Sequence, residues 1–193
     1  MFVRRDLSDR VPTPEGEMHF VKQGSGYPLV MLHPLGTSTW AWHTVIDALS
    51  QHFTCYAFDM LGHGESDKPS RHFNIPDYAN ALDHACQILN IHRGHYVGNS
   101  VGAILATEMA ASFPERLDKL VLVGCPVWDA RTAPQRLEDA SGGYDDQGLA
   151  KPRTLEELKT STTFANPKPE WVDATNQTRA QAGVWVGKLM RSL

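Results

Sequence analysis

Within HYVGNSVGAI, residues 95–104, one serine stands between two glycines where the apolar pattern changes period. His95 to Gly98 reads as the end of a strand. From Val101 the positions Ala103, Ile104, Ala106, Thr107 and Ala110 fall at helical spacing. Ser100 therefore sits on a corner between strand and helix, where a side chain projects from the end of a sheet. A turn that sharp needs backbone angles and close approaches that a Cβ obstructs, which accounts for Gly98 and Gly102. Alone, Ser100 also reads as a helix N-cap. The rest of the chain has to decide.

Four short apolar runs organise the first two thirds: YPLVMLH (27–33), FTCYAFD (53–59), GHYVGNS (94–100) and DKLVLVG (118–124). The second and third keep apolar residues on both faces for much of their length, and the fourth does so throughout. This pattern belongs to strands of a parallel sheet covered by helices. The intervals are long enough for helical crossovers. In NIPDYANALDHACQILN, Asn74 is the expected N-cap, Pro76 sits in the first turn and Asp77 faces the helix dipole. Ala79, Leu82, Ala85, Cys86 and Leu89 form one stripe, and Asn90 is the expected stop. TWAWHTVIDALS predicts a second helix with Trp40, Val45 and Leu49 in the core. A third runs from Val101 to about Phe113, ended by Pro114. An earlier strand, MHFVKQG (18–24), is expected at the sheet edge. The order is alternating α/β with right-handed crossovers.

The expected division is an N-terminal arm (1–17), a core (18–126) and a largely helical excursion (127–193), in which TLEELKTSTTF and ATNQTRAQAGVWVGKLM are the best helical patterns. With 41% hydrophobic and 21% charged residues, and no apolar run near the ~20 residues of a membrane span, the composition is that of a soluble globular protein. MFVRRDLSDR has no apolar signal core, so a cytoplasmic location is expected. A net charge of −4 without a basic cluster argues against nucleic acid and anionic membranes as partners. Cys55, Cys86 and Cys125 are scattered and odd in number, which fits buried thiols better than disulfides. His92 and His95 lack a carboxylate nearby in sequence, so no metal site is expected there, and neither a dinucleotide fingerprint nor a P-loop is present. No cofactor is implied.

Ligands of open α/β sheets bind beyond the carboxyl ends of the strands. Three segments lie there: HPLGTS (33–38), DMLGHGESDKP (59–69) and the GNSVG corner. Their spacing, about 26 and 40 residues, resembles the N-terminal part of α/β-hydrolase-fold enzymes over roughly residues 18–128. GNSVG matches that family's nucleophile elbow. The expected fold is thus an α/β-hydrolase-type, mostly parallel sheet flanked by helices, C-terminally incomplete, with part of a helical cap. The resemblance implies Ser100 as nucleophile, with the N–H groups of Val101 and Leu35 as oxyanion donors. It implies His33, Gly36, Gly98 and Gly102 as loop support. Asp59, His63 and Ser66 would hold their loop together, and Trp128 would line an apolar pocket. The HPLG, GHGES and GNSVG variants are similar to those of carboxylesterases, enol-lactonases and meta-cleavage C–C hydrolases. These imply a small ester-, lactone- or diketone-type substrate.

A serine hydroxyl needs a base to take its proton and an acid to orient that base. In this family the order is Ser, Asp or Glu, then His. No histidine follows His95, and the acid could come from Asp129. The expectation is a shortened chain, a fragment or a natural truncation, that is poorly active alone. The alternatives are a non-catalytic binding module, or a subunit completed by a second copy through the open sheet edge at 118–124.

Overall fold

The computed structural model describes residues 7–127, 143–145, 147, 149–160 and 166–190. In chain order the elements are β1 (Ser8–Thr13), β2 (Gly16–Gln23), β3 (Tyr27–Leu32), a 3₁₀ turn (Thr39–Trp42), α1 (Ile46–Leu49), β4 (Phe53–Phe58) and α2 (Ile75–Ile88). They continue as β5 (Gly94–Asn99), α3 (Val101–Ser112), β6 (Leu117–Val123), α4 (Leu155–Thr160), α5 (Trp171–Ala182) and α6 (Trp185–Met190). Among the described residues six strands form one sheet in the order β1-β2-β4-β3-β5-β6. β1–β2 and β2–β4 pair antiparallel, and β4–β3, β3–β5 and β5–β6 pair parallel.

The parallel register decides where chemistry can occur. Leu32 pairs with both Phe58 and Gly98, and Gly98 pairs with Leu122. Three strands therefore end at one level. The residues that follow, His33, Asp59 and Ser100, emerge along one rim of the sheet.

α2 is built as its sequence dictates. Asn74 accepts from the Asp77 N–H while the Asp77 carboxylate accepts from the Asn74 N–H, a reciprocal capping box. The stripe Ala79, Leu82, Ala85 and Cys86 is buried, and Leu89 packs against the same core. Asn90 takes a left-handed φ of 56°, the helix-ending conformation that a short amide side chain tolerates. On the other face of the sheet Val21, Leu29, Met31, Trp42, Cys55 and Ala57 form a second core.

Several expectations need correction. MHFVKQG is not an edge strand: β2 lies between β1 and β4, because residues 8–13 of the expected arm form the true edge. Segment 39–50 is not one helix. Ser38 caps a 3₁₀ turn by accepting from the Trp40 N–H, the chain then turns before α1, and Val45 is exposed while Trp40 and Trp42 are buried. β6 is parallel as expected but not covered on both faces. Among the described residues it is the last strand, with Val121 53% and Val123 46% exposed. Cys125 is half-buried rather than buried, and the long C-terminal helical pattern is broken at Gly183. Trp128 and Asp129 lie outside the described residues.

A part-buried ion pair ties α2 to the approach of β6. Arg116 Nε donates to Asp83 Oδ1 at 2.6 Å and Arg116 Nη1 to the Ile91 carbonyl at 3.2 Å. Removing one partner strands the other charge. Arg116→Ala is therefore expected to cost about 3 kcal/mol in urea unfolding, whereas the double change Asp83→Leu/Arg116→Met recovers most of it. A cost within about 0.5 kcal/mol for the single change would show the pair to be dispensable.

Candidate active site

Ser100 occupies the corner itself, with φ 55° and ψ −118°. A positive φ costs a serine energy, so surrounding contacts must impose it. The Ser100 N–H donates to the Val123 carbonyl at 2.8 Å, extending the sheet by one residue. Its carbonyl accepts from the Ala103 N–H at 2.9 Å, already in the helix. The side chain makes no cap bond, so the N-cap role is not taken by the hydroxyl.

The flanking glycines serve close approach, not unusual angles, since neither has a positive φ. A Cβ on Gly98 would lie 2.2 Å from the Gly102 carbonyl oxygen. A Cβ on Gly102 would lie 2.2 Å from the Leu32 oxygen and 2.7 Å from the His33 oxygen. The first turn of α3 is thus pressed against β5 and the end of β3, and the unusual angle is left to Ser100.

Beside it, residues 34–37 form a turn closed by the Thr37 N–H on the Pro34 carbonyl at 3.3 Å, with Gly36 at φ 69°. Glycine belongs at such a position. The Pro34 oxygen also accepts from Thr37 Oγ1 at 2.8 Å and lies 2.8 Å from His33 Nδ1. His33 Nε2 accepts from the Met60 N–H at 3.0 Å. Nδ1 therefore carries the proton and donates to Pro34, and both ring nitrogens are engaged. Burial holds this ring's pKa below the ordinary range against the pull of Asp59 and the Pro34 bond. Leu35 is half-buried against Val186 and Ala182, and Val101, first residue of α3, is buried.

Asp59 is the hub behind the rim. Its carboxylate accepts from the Thr39 N–H at 2.6 Å, the Glu65 N–H at 2.9 Å and His19 Nδ1 at 2.8 Å. Its carbonyl accepts from Ser66 Oγ at 2.7 Å, and Ser66 Oγ accepts from the His19 N–H at 2.8 Å. Burial alone would raise its pKa, but the His19 bond and the neighbouring imidazoles outweigh that and hold it below the ordinary carboxylate range. One buried charge thus pins β2, the 3₁₀ turn and the loop 60–67 together. His19 was not legible as part of this group, because its partner lies 40 residues away. Trp185 and Leu189 of α6 join the main core, and Trp185 meets Phe73 edge-on at 6.0 Å. Among the described residues, no group of three or more His, Cys, Asp or Glu is arranged to hold a metal, and no helix is long and apolar enough to cross a membrane.

The family model for the alpha/beta hydrolase fold matches residues 27–181. This chain belongs to the α/β-hydrolase family. It is 36% identical over 114 residues to a 2-hydroxy-6-oxo-2,4-heptadienoate hydrolase of Pseudomonas putida, covering 57% of this chain and 41% of that one. It is 39% identical over 100 residues to an uncharacterized protein of Mycobacterium tuberculosis, covering 52% and 29%. The chain thus spans less than half the length of these relatives. Among solved structures it resembles the N-acyl homoserine lactonase AidH complexed with N-butanoyl homoserine. The TM-score is 0.76 at 22% identity, covering 95% of this chain and 68% of that one, a likeness of fold.

His63 supplies a check on the site's packing. Its ring is fully buried, 5.4 Å from that of His33, and burial followed by the nearby His33 lowers its pKa from 6.5 to about 3. Between those values the unfolded chain binds a proton that the folded chain refuses, so stability falls as pH falls. From about pH 7 to about pH 5 the expected loss from this ring is about 2 kcal/mol, with His33 acting in the same direction. Urea midpoints across that range should fall, and the His63 Cε1–H resonance should stay flat. A titration of that proton near its ordinary pKa would show the loop to be open to water.

Proposed function

We propose that this chain carries the nucleophile and oxyanion hole of a serine hydrolase acting on a small ester, lactone or activated C–C bond. The observation that carries the reading is the positive φ of Ser100 at the β5–α3 corner, where the first turn of α3 is pressed against the end of β3. In this reading Ser100 Oγ attacks a carbonyl carbon. The oxygen of that carbonyl takes up negative charge and is met by the N–H groups of Val101 and Leu35 together with the N-terminus of α3. Collapse of the intermediate expels the leaving group and leaves an acyl-serine for water to cleave. Gly36, Gly98, Gly102 and His33 hold the donors in place. The substrate class draws support from relatives whose names denote a dienoate hydrolase and an acyl homoserine lactonase.

The base is the open part of the scheme. His33 has both nitrogens engaged, and no histidine follows His95 in the 193 residues. Asp129 is the proposed acid. Without a base in family order, residues 1–193 alone are expected to turn over slowly. Loss of the base in a serine hydrolase costs on the order of 10⁶, leaving roughly 10³–10⁴ over water from the oxyanion hole and binding. The same observation favours a second reading, a ligand-binding module that keeps the pocket without turnover. The exposed edge of β6 is the proposed surface for association with a second copy.

The deciding experiment is single-turnover and steady-state kinetics on a p-nitrophenyl ester. A slow burst of nitrophenol that disappears in Ser100→Ala is expected. A burst that survives Ser100→Ala would sink the nucleophile assignment. No burst with a folded protein would leave the binding-module reading in place of the hydrolase.

A further inference from the structure

Three cations of the helical excursion have no carboxylate partner among the described residues. Lys151 and Arg153 precede α4 and Arg179 belongs to α5, whereas the ion pair described in this region joins Lys159 to Glu156. All three line one cavity of about 330 Å³, together with Glu157 and Thr160. Lys151 and Arg153 alone would be solvated surface charges. Arg179 is different. It is 6% exposed, yet it meets only neutral groups. Its Nε donates to the Lys151 carbonyl at 3.4 Å, its Nη2 donates to the Gly143 carbonyl at 3.1 Å, and its guanidinium lies 5.6 Å from the centre of the Tyr144 ring.

As a strut tying residues 143–151 to α5, Arg179 needs no charge, and a neutral donor would fill that role. A guanidinium cannot shed its proton, so its charge stays buried at a cost unless an anion meets it. Burial lowers its pKa, with Arg153 adding to that effect and Tyr144 and Glu157 opposing it. Glu157 is not the missing anion. Its Oε2 accepts from the Thr154 N–H at 2.7 Å and from Thr154 Oγ1 at 3.0 Å, which caps α4, and it forms no ion pair with Arg153 or Arg179. Three cations against one carboxylate leave the lining with a charge of +2. A carboxylate ligand offers two coplanar oxygens, enough for one guanidinium fork. A phosphate group offers three oxygens and the matching charge.

We infer that this cavity binds the dianionic phosphate group of a small phosphate or phosphomonoester, shared by Lys151, Arg153 and Arg179. The site lies in the excursion and takes no part in the chemistry assigned to Ser100. Its test stands whichever way the nitrophenyl ester experiment ends.

Calorimetric titration of the full 193-residue chain tests this with sodium phosphate, sodium phenyl phosphate, sodium acetate and sodium chloride. The conditions are low ionic strength and about pH 8, where phosphate is largely a dianion. Saturable phosphate binding with a Kd of about 1 mM or tighter is expected, with acetate and chloride at least about tenfold weaker. Tighter binding of phenyl phosphate names a monoester as the occupant; otherwise phosphate itself is. Arg153→Gln, at a half-buried position, should weaken phosphate at least about tenfold. Glu157→Gln, in which glutamine still serves the cap, should tighten it about threefold. In ¹H–¹⁵N spectra of the unaltered chain the Arg179 Nε–H resonance should move as phosphate is added. No saturable phosphate binding, equal binding of acetate or chloride, an affinity unchanged in Arg153→Gln or lowered in Glu157→Gln, or an unmoved Arg179 resonance at saturation would each overturn the assignment.

Discussion

A backbone contact of three segments governs this structure. Gly98, Gly102 and the carbonyls of Leu32 and His33 meet so closely that no Cβ fits between them. The contact lets the helix after β5 start without an intervening loop, brings its N-terminus onto the end of β3 and leaves Ser100 to absorb the turn. The serine's positive φ is therefore a consequence of packing elsewhere. Strain of this kind persists only where the surroundings over-determine it. Here a strand hydrogen bond to Val123 on one side and a helical bond from Ala103 on the other do so.

The rim is held from behind by electrostatics of the opposite character. Asp59 is a charge taken out of water, and its cost is met by two backbone N–H groups and an imidazole. Because those donors come from segments far apart in sequence, the carboxylate fixes the relation of β2, the 3₁₀ turn and the loop 60–67 at once. His33 then links this loop to the turn 34–37 through Met60 and Pro34. The geometry around Ser100 rests on a chain of neutral and charged hydrogen bonds in which His33 keeps one tautomer.

How much of this could be read from the residues follows from the range of each interaction. The corner at Ser100, the parallel strands and the capped α2 are local in sequence, and periodicity and glycine placement expose them. The loop at 33–38 was legible as a motif, though not the turn in which Pro34 gathers several donors. What failed was non-local. Residues 8–13 carry no strong apolar run, so they read as an arm, and β2 reads as an edge strand for want of a partner. β6 has the composition of a covered strand but lies at the end of the sheet among the described residues. The pairing of His19 with Asp59 has no local signature at all. The helix expected over 39–50 failed differently: the Trp40 carbonyl takes the His43 N–H and lies 2.8 Å from His43 Nδ1, so the 3₁₀ turn ends at Trp42, and α1 starts anew at Ile46 without a side-chain cap.

The central claim is that folding alone distinguishes Ser100 from the other described serines by holding it at a strained strand-to-helix corner. Peptide mapping after treatment with a fluorophosphonate, on the native chain and on the same chain in urea, measures this directly. The account predicts modification at Ser100 ahead of all other serines in the native chain, and loss of that preference on unfolding. Modification spread over surface serines in the native chain, or a preference for Ser100 that survives urea, would contradict it.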